Sequence, residues 1–197
     1  MSKINIITIE RQFASGGRQI GALVAQELGY KFYNEEILQL ASQKLGLQPH
    51  NVEHLEETLP NSLLYGLALA ADFTSDVVFA DRLFETESEI IRGIGDAGKS
   101  VIVGRCAGQI LANRKDVLKV FIYGDEKSRI ARAVEEYGIP EHEAHSTLAK
   151  TDRRRNSFYN AHTKNHWSSM ETYDICLDSG SLGIEMCAEI IKTMAEK

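Results

Sequence analysis

Cysteine, proline and long apolar runs are scarce in this chain, and each scarcity removes a class of protein. The three cysteines, Cys106, Cys176 and Cys187, are scattered and form no C-x-x-C pair. That speaks against a disulfide scaffold or a zinc site and fits reduced thiols in a cytosol. With only three prolines, no internal repeat and no low-complexity tract, there is no linker at which to divide the chain. No run of about eighteen apolar residues occurs, and the opening MSKINIITIE lacks the apolar segment of a signal peptide. The expectation is a cytoplasmic protein that keeps off membranes. Basic residues are also in the minority: 22 Lys and Arg against 28 Asp and Glu give a net charge of −6. Nucleic acid and anionic membranes are therefore not expected partners, and any anion site must be local.

What remains is ordinary globular composition, 43% hydrophobic and 25% charged over 197 residues, enough for a single domain spanning 1–197. Short β-branched runs mark strands at Ile4–Ile9, Val101–Val103, Leu118–Ile122 and Ile175–Leu177, with a weaker one at Lys31–Tyr33. Helical spacing links Ile20, Leu23, Val24 and Leu28; then Leu83, Phe84, Ile90, Ile91 and Ile94; then Ile130, Val134 and Tyr137; and finally Cys187, Ile190, Ile191 and Met194. Uniformly apolar strands alternating with helices predict an α/β fold with a parallel sheet covered on both faces. Residues 39–81 carry helical patches without a strand signal, which predicts a helical excursion at the sheet's carboxyl edge. Within it, the apolar stretch Leu63–Phe79 suits an acceptor lobe or the face of a homodimer.

The first strand runs into Ser15-Gly16-Gly17 and then a helix, the layout that cradles phosphates. Against G-x-x-x-x-G-K-[ST], Gly17 fits the last glycine, while Gln12, Arg18 and Gln19 replace Gly, Lys and Ser/Thr. Arg18 keeps the positive charge as a planar fork, and Ser15 is the only hydroxyl in the loop. A tight β–α turn without ligand is the competing reading. Two further sites carry arginine. Lys150-Thr151-Asp152-Arg153-Arg154-Arg155 concentrates positive charge in an acidic chain, as a phosphate clamp or as a solvated helix face. The aromatics that follow, Phe158, Tyr159 and Trp167, would allow base stacking, which the overall acidity opposes. Val101–Gly104 delivers Arg105 to the carboxyl edge, either to grip an anion or to form a structural ion pair. Cys106 beside it is a reactive thiol or a packing residue. His162 and His166, four apart, lack a third metal ligand, so no metal set is assigned. Asp178-Ser179-Gly180 reads as the cap of the final helix.

Taken in order, ERQFASGGRQIGALVAQELGYKFYNEEIL, VIVGRCAGQIL, LKVFIYGDEKSRIARA, KTDRRRN and YDICLDSGSLGIEMCAEII resemble the cytidylate kinase-like family, a divergent branch of the nucleoside monophosphate kinases. The resemblance implies a three-layer P-loop kinase fold with five parallel strands, the acceptor-side excursion, and an arginine lid over about 132–165. It implies a phosphotransferase moving the γ-phosphoryl group of ATP, with Mg²⁺, to a nucleoside monophosphate or related small acceptor. A catalytically weak or inactive nucleotide-binding protein is the alternative. Carried over by position, Ser15, Gly16, Gly17, Arg18 and Gln19 form the donor loop, and Arg132, Lys150, Arg153, Arg154 and Arg155 supply phosphate-binding charge. Arg18 and Arg153 take the catalytic roles, and Arg105 and Arg11 the acceptor side. Cys106 stands at a family aspartate, Arg154 at a lid acid and Ser157 at a lid arginine, which sets the chain apart from CMP specificity.

Overall fold

The computed structural model describes residues 3–46 and 74–197. Expectations that fall on 47–73, including most of the acceptor-side excursion and of the Leu63–Phe79 face, lie outside the described residues. The element order is β1 (Ile6–Arg11), α1 (Gly17–Leu28), β2 (Lys31–Tyr33), α2 (Glu36–Leu45), α3 (Thr74–Ala97), β3 (Ser100–Val103), α4 (Ala107–Ile110), β4 (Val117–Tyr123), α5 (Glu126–Tyr137), α6 (Glu141–His162), a 3₁₀ turn (Met170–Thr172), β5 (Ile175–Asp178) and α7 (Ser179–Ala195). All strands pair in parallel in the order β2-β3-β1-β4-β5. This is the α/β sheet the apolar runs predicted.

Alternation along the strands builds two cores. Ile7, Ile9, Val101, Val103, Val120 and Ile122 face α1 and α7, where Ile20, Val24, Cys187 and Ile191 close the layer. Ile6 and Ile102 face the other way, onto Ile37 of α2, Ile91 and Ile94 of α3, and Leu111. A strand buried on both faces shows no polar alternation, so β1 reads as a continuous apolar run. Its true end differs from the expected one. The strand continues through Glu10 and Arg11, which pair with Phe121 and Ile122 of β4 after β3 has turned away. Two charged residues hid this extension from a reading based on hydrophobicity. Asp125 caps α5 by accepting from the Ser128 N–H at 3.0 Å.

The first core makes a measurable claim. Ile191→Ala, at a fully buried position, lowers the unfolding free energy by about 2–5 kcal/mol. Met186→Ala, exposed on the same helix, shifts it by no more than about 0.5 kcal/mol. Urea titration of both variants checks the pair.

Candidate phosphate site

The loop between β1 and α1 is shaped by what holds its carbonyls. Arg155 Nη1 donates to the Arg11 carbonyl at 3.0 Å, and the Ser15 hydroxyl to that of Gln12 at 2.9 Å. Arg129 Nη1 donates to Phe13 at 3.2 Å, Arg132 Nη1 to Ala14 at 2.9 Å, and the Ser179 hydroxyl to Ser15 at 2.6 Å. With the carbonyls engaged, the chain alternates into left-handed conformations at Ala14 (φ 56°) and Gly16 (φ 77°), the geometry of an anion nest. A side chain at Gly16 would be strained at this φ and would run into Ile184. Gly17 is already the first residue of α1, so the N–H groups at that helix start have no intrahelical acceptor and open toward the cleft.

A clamp from α5 and α6 locks this geometry. Asp152 accepts from the Phe13 N–H at 2.6 Å and from Arg129 Nη1 at 2.5 Å. The Phe13 ring lies between Tyr137, at 5.2 Å, and the Arg155 guanidinium, at 5.8 Å. Ala14 packs into a small core with Ala133, Ala144 and Leu148 of the two helices. These helices therefore form one wall of the loop.

Two clefts meet here. One, of about 200 Å³, lies over the loop and is lined by Gln12, Phe13, Gly16, Gly17, Arg18, Asn34 and Glu35 together with Arg11, Arg105 and Arg155. The other, of about 160 Å³, shares those three arginines and adds Glu10, Cys106, Arg154, Phe158 and Tyr159. Arg11 occupies space that exists only because residue 104 is glycine, since a Cβ there would meet its guanidinium. Arg105 and Cys106 both sit in left-handed conformations, φ 61° and 55°. Each costs on the order of 1 kcal/mol, strain of the kind that gathers at functional sites. The turn aims the Cys106 N–H at Glu10 Oε1, 3.2 Å away, while Trp167 Nε1 donates to Glu10 Oε2 at 3.3 Å.

Burial shifts the charged groups. Desolvation, and then repulsion from Arg11, lowers Arg155 to about 9 and Arg105 to about 10. Arg11 is lowered by burial first, and Glu10 is raised by burial against the pull of Arg11. Arg105 Nη1 lies 3.0 Å from Glu87 Oε1, and burial drives Glu87 up to about 8. Desolvation raises the Cys106 thiol well above its ordinary value, and the residue packs with Phe121, Tyr159 and Trp167. It is therefore a packing residue, not a reactive one.

Among the expected site residues, Ser15, Gly16, Gly17, Arg132, Arg105, Arg11 and Arg155 gather at the loop, and Arg154 lines the second cleft. Arg18 lies on the rim of the first cleft, exposed and bonded to Glu35 at 3.1 Å. Gln19 is held by Glu136 at 2.7 Å. Lys150 and Arg153 are exposed and line neither cleft. Glu10, Arg129 and Asp152 are functional placements that motif reading missed. The stripe Ala144, Leu148, Tyr159 on α6, continued at helical spacing, passes through Asp152 and Arg155 and marks both. His162 is packed against Phe84 and Phe158, at ring distances of 4.0 and 4.5 Å. Asp178 caps α7 as expected, accepting from the Gly180 N–H at 2.9 Å.

The nest and the guanidiniums fit the polyphosphate of a nucleotide. The described residues do not fit a protein-held Mg²⁺. The Ser15 hydroxyl is fully buried and turned to the Gln12 carbonyl. Glu10, Glu35 and Asp152 are each engaged by donors, and no group of three His, Cys, Asp or Glu residues able to hold a metal occurs among the described residues.

Sheet order, loop and converging arginines together define a P-loop kinase fold. The profile of the Cytidylate kinase-like family matches residues 6–181, and the chain belongs to that family. The crystal structure of an uncharacterized protein from Eubacterium ventriosum ATCC 27560 superposes with a TM-score of 0.72 at 25% identity, covering 98% of each chain. Shikimate kinase from Bacteroides thetaiotaomicron superposes at 0.58 and 10% identity over 98% of each chain. Shikimate kinase from Acinetobacter baumannii, in complex with shikimate, does so at 0.53 and 11%, over 97% of this chain and 93% of that one. The last two share the fold alone. No curated protein sequence matched. No helix among the described residues is long and apolar enough to cross a membrane.

The clamp is open to test by a double-mutant cycle. Arg129→Ala strands Asp152 beside the loop and costs on the order of 3 kcal/mol in chemical denaturation. Adding Asp152→Asn recovers part of that loss, with a coupling of about 0.5–3 kcal/mol.

Proposed function

We propose that this protein is a nucleotide-dependent phosphotransferase, with the donor polyphosphate on the loop 12–18 and a small anionic acceptor in the cleft of Glu10, Arg105, Arg154 and Tyr159. The observation that carries this reading is the wall shared by the two clefts: Arg11, Arg105 and Arg155 line both. A phosphoryl group passing between ligands on either side would stay within reach of the same guanidiniums throughout. ATP, when bound, supplies the transferable γ-phosphoryl group. The loop N–H groups orient the donor, Arg155 and Arg11 stabilise charge that spreads over the moving oxygens, and α5 and α6 exclude water. Arg105, paired with Glu87, is placed to hold the acceptor's anionic group. An acceptor oxygen already ionised as phosphate needs no base, in keeping with a nucleoside monophosphate. We assign the principal catalytic charge to Arg155 because it touches the loop, and give Arg153 and Arg18 secondary roles at the rim.

A second reading, nucleotide binding without turnover, is favoured by one observation: the residue at the loop's lysine position, Arg18, is exposed on the cleft rim and engaged by Glu35. Incubation with ATP and a panel of nucleoside monophosphates and small hydroxyl acceptors, with and without Mg²⁺, separates the two. Under the first reading at least one acceptor is phosphorylated, and Arg155→Ala lowers kcat by about 10- to 100-fold, the worth of one or two charge-assisted hydrogen bonds. Arg153→Ala changes it by less than about threefold. ADP binding with no transfer to any acceptor selects the second reading. Failure to bind ADP or pyrophosphate overturns both.

A further inference from the structure

The crowding of guanidiniums at this site has a consequence for the metal. Arg11, Arg18, Arg105, Arg154 and Arg155 line the two clefts against only Glu10 and Glu35. A divalent cation beside a polyphosphate has two requirements. Beyond the phosphate oxygens and water it carries, it needs a hard oxygen ligand from the protein, and it needs surroundings that do not repel it.

Neither condition holds among the described residues. Both Glu10 oxygens accept from N–H donors, with Arg11 4.0 Å from Oε2. Glu35 Oε1 accepts from Arg18 at 3.1 Å and from Asn34 Nδ2 at 3.3 Å. Asp152 is held by Arg129 and the Phe13 N–H, Glu87 faces Arg105, and the Ser15 hydroxyl donates into its own loop. A dication would also sit among three partly buried guanidiniums, where like-charge repulsion is screened less than in bulk water. Those guanidiniums can do what the ion does for a polyphosphate. They neutralise adjacent oxygens, and their planar forks add direction to the charge. Their positions are fixed, too. Arg155 is anchored to the Arg11 carbonyl, Arg105 to Glu87, and Arg11 fits over Gly104.

We propose that this site takes its di- or triphosphate ligand as the metal-free anion, with Arg11, Arg105 and Arg155 standing in place of the divalent cation. The proposal rests on the reading of the loop as a polyphosphate site.

The test is isothermal titration of the full chain with pyrophosphate and with ADP, in EDTA and in excess Mg²⁺, at matched ionic strength. Matched salt matters because screening alone weakens an anion site. Binding in EDTA is expected to be at least about fivefold tighter than in Mg²⁺, since the cation withdraws free anion from a site that rejects the complex. Arg155→Met and Arg155→Lys provide the internal check. The Met variant loses most of the affinity in EDTA and narrows the difference between the two conditions; the Lys variant, which keeps the charge, retains the preference for the metal-free anion. Tighter binding in Mg²⁺, or equal binding in both, overturns the proposal while leaving the phosphate site intact. Binding in neither condition overturns the phosphate site, and the proposal with it.

Discussion

The candidate site depends on one constraint: each carbonyl of residues 11 to 15 is met by a side-chain donor, four of the five from outside the loop. Backbone polar groups buried without partners are costly, so each carbonyl must be met. Here the partners are the side chains of Arg155, Ser15, Arg129, Arg132 and Ser179. Three of them are arginines from α5 and α6, whose long side chains reach the loop from outside. With these carbonyls engaged, the N–H groups at the start of α1 are the polar atoms left to face the cleft. The anion preference of the loop therefore follows from hydrogen bonds made on its far side.

The same constraint separates the arginines, with Arg155 in both roles because it holds the Arg11 carbonyl and lines the clefts. Arg129 and Arg132 are consumed in holding main chain, and Arg129 is further tied to Asp152. Arg11, Arg105 and Arg155 face the clefts, close enough that Arg11 lowers the other two after desolvation has done so. An acidic chain can hold such a cluster only if something compensates locally. Glu10 lies 4.0 Å from Arg11, and Glu87 lies 3.0 Å from Arg105. The left-handed turn at Arg105 and Cys106 brings the Cys106 N–H onto Glu10 and Arg105 against Glu87 in a single step. Relaxing that turn would separate both pairs.

The strand–loop–helix unit, the parallel sheet and the placement of Arg105 at its carboxyl edge were legible because each rests on local pattern: apolar runs, a glycine pair, and a strand ending in Gly-Arg. The exact seating of the loop was not. Spacing alone puts Gly17 at the last loop glycine and Arg18 at the lysine, whereas Gly16 carries the left-handed conformation and Gly17 opens the helix. The true turn is fixed by Ile184 and Ser179 of α7, more than 160 residues away. The choice among Arg153, Arg154 and Arg155 was obscured because α6 is largely polar on every side. Its phase shows only through Ala144, Leu148 and Tyr159. Glu10 escaped notice because a charged residue inside a buried strand looks like the strand's end. It is tolerated there because two N–H donors and Arg11 meet it.

A wall of charge shared by two clefts also couples them. An anion bound on either side reduces the positive field felt on the other, so two separate anions compete for the same three guanidiniums. One arrangement removes the competition: a phosphoryl group lying between the two ligands, whose oxygens meet the arginines once for both. Charge on those oxygens is most evenly shared midway through transfer, when neither ligand owns the group. Under the proposed transfer, fixed guanidiniums on the common wall would stabilise that midpoint more than either ground state, and differential stabilisation of this kind is what catalysis requires.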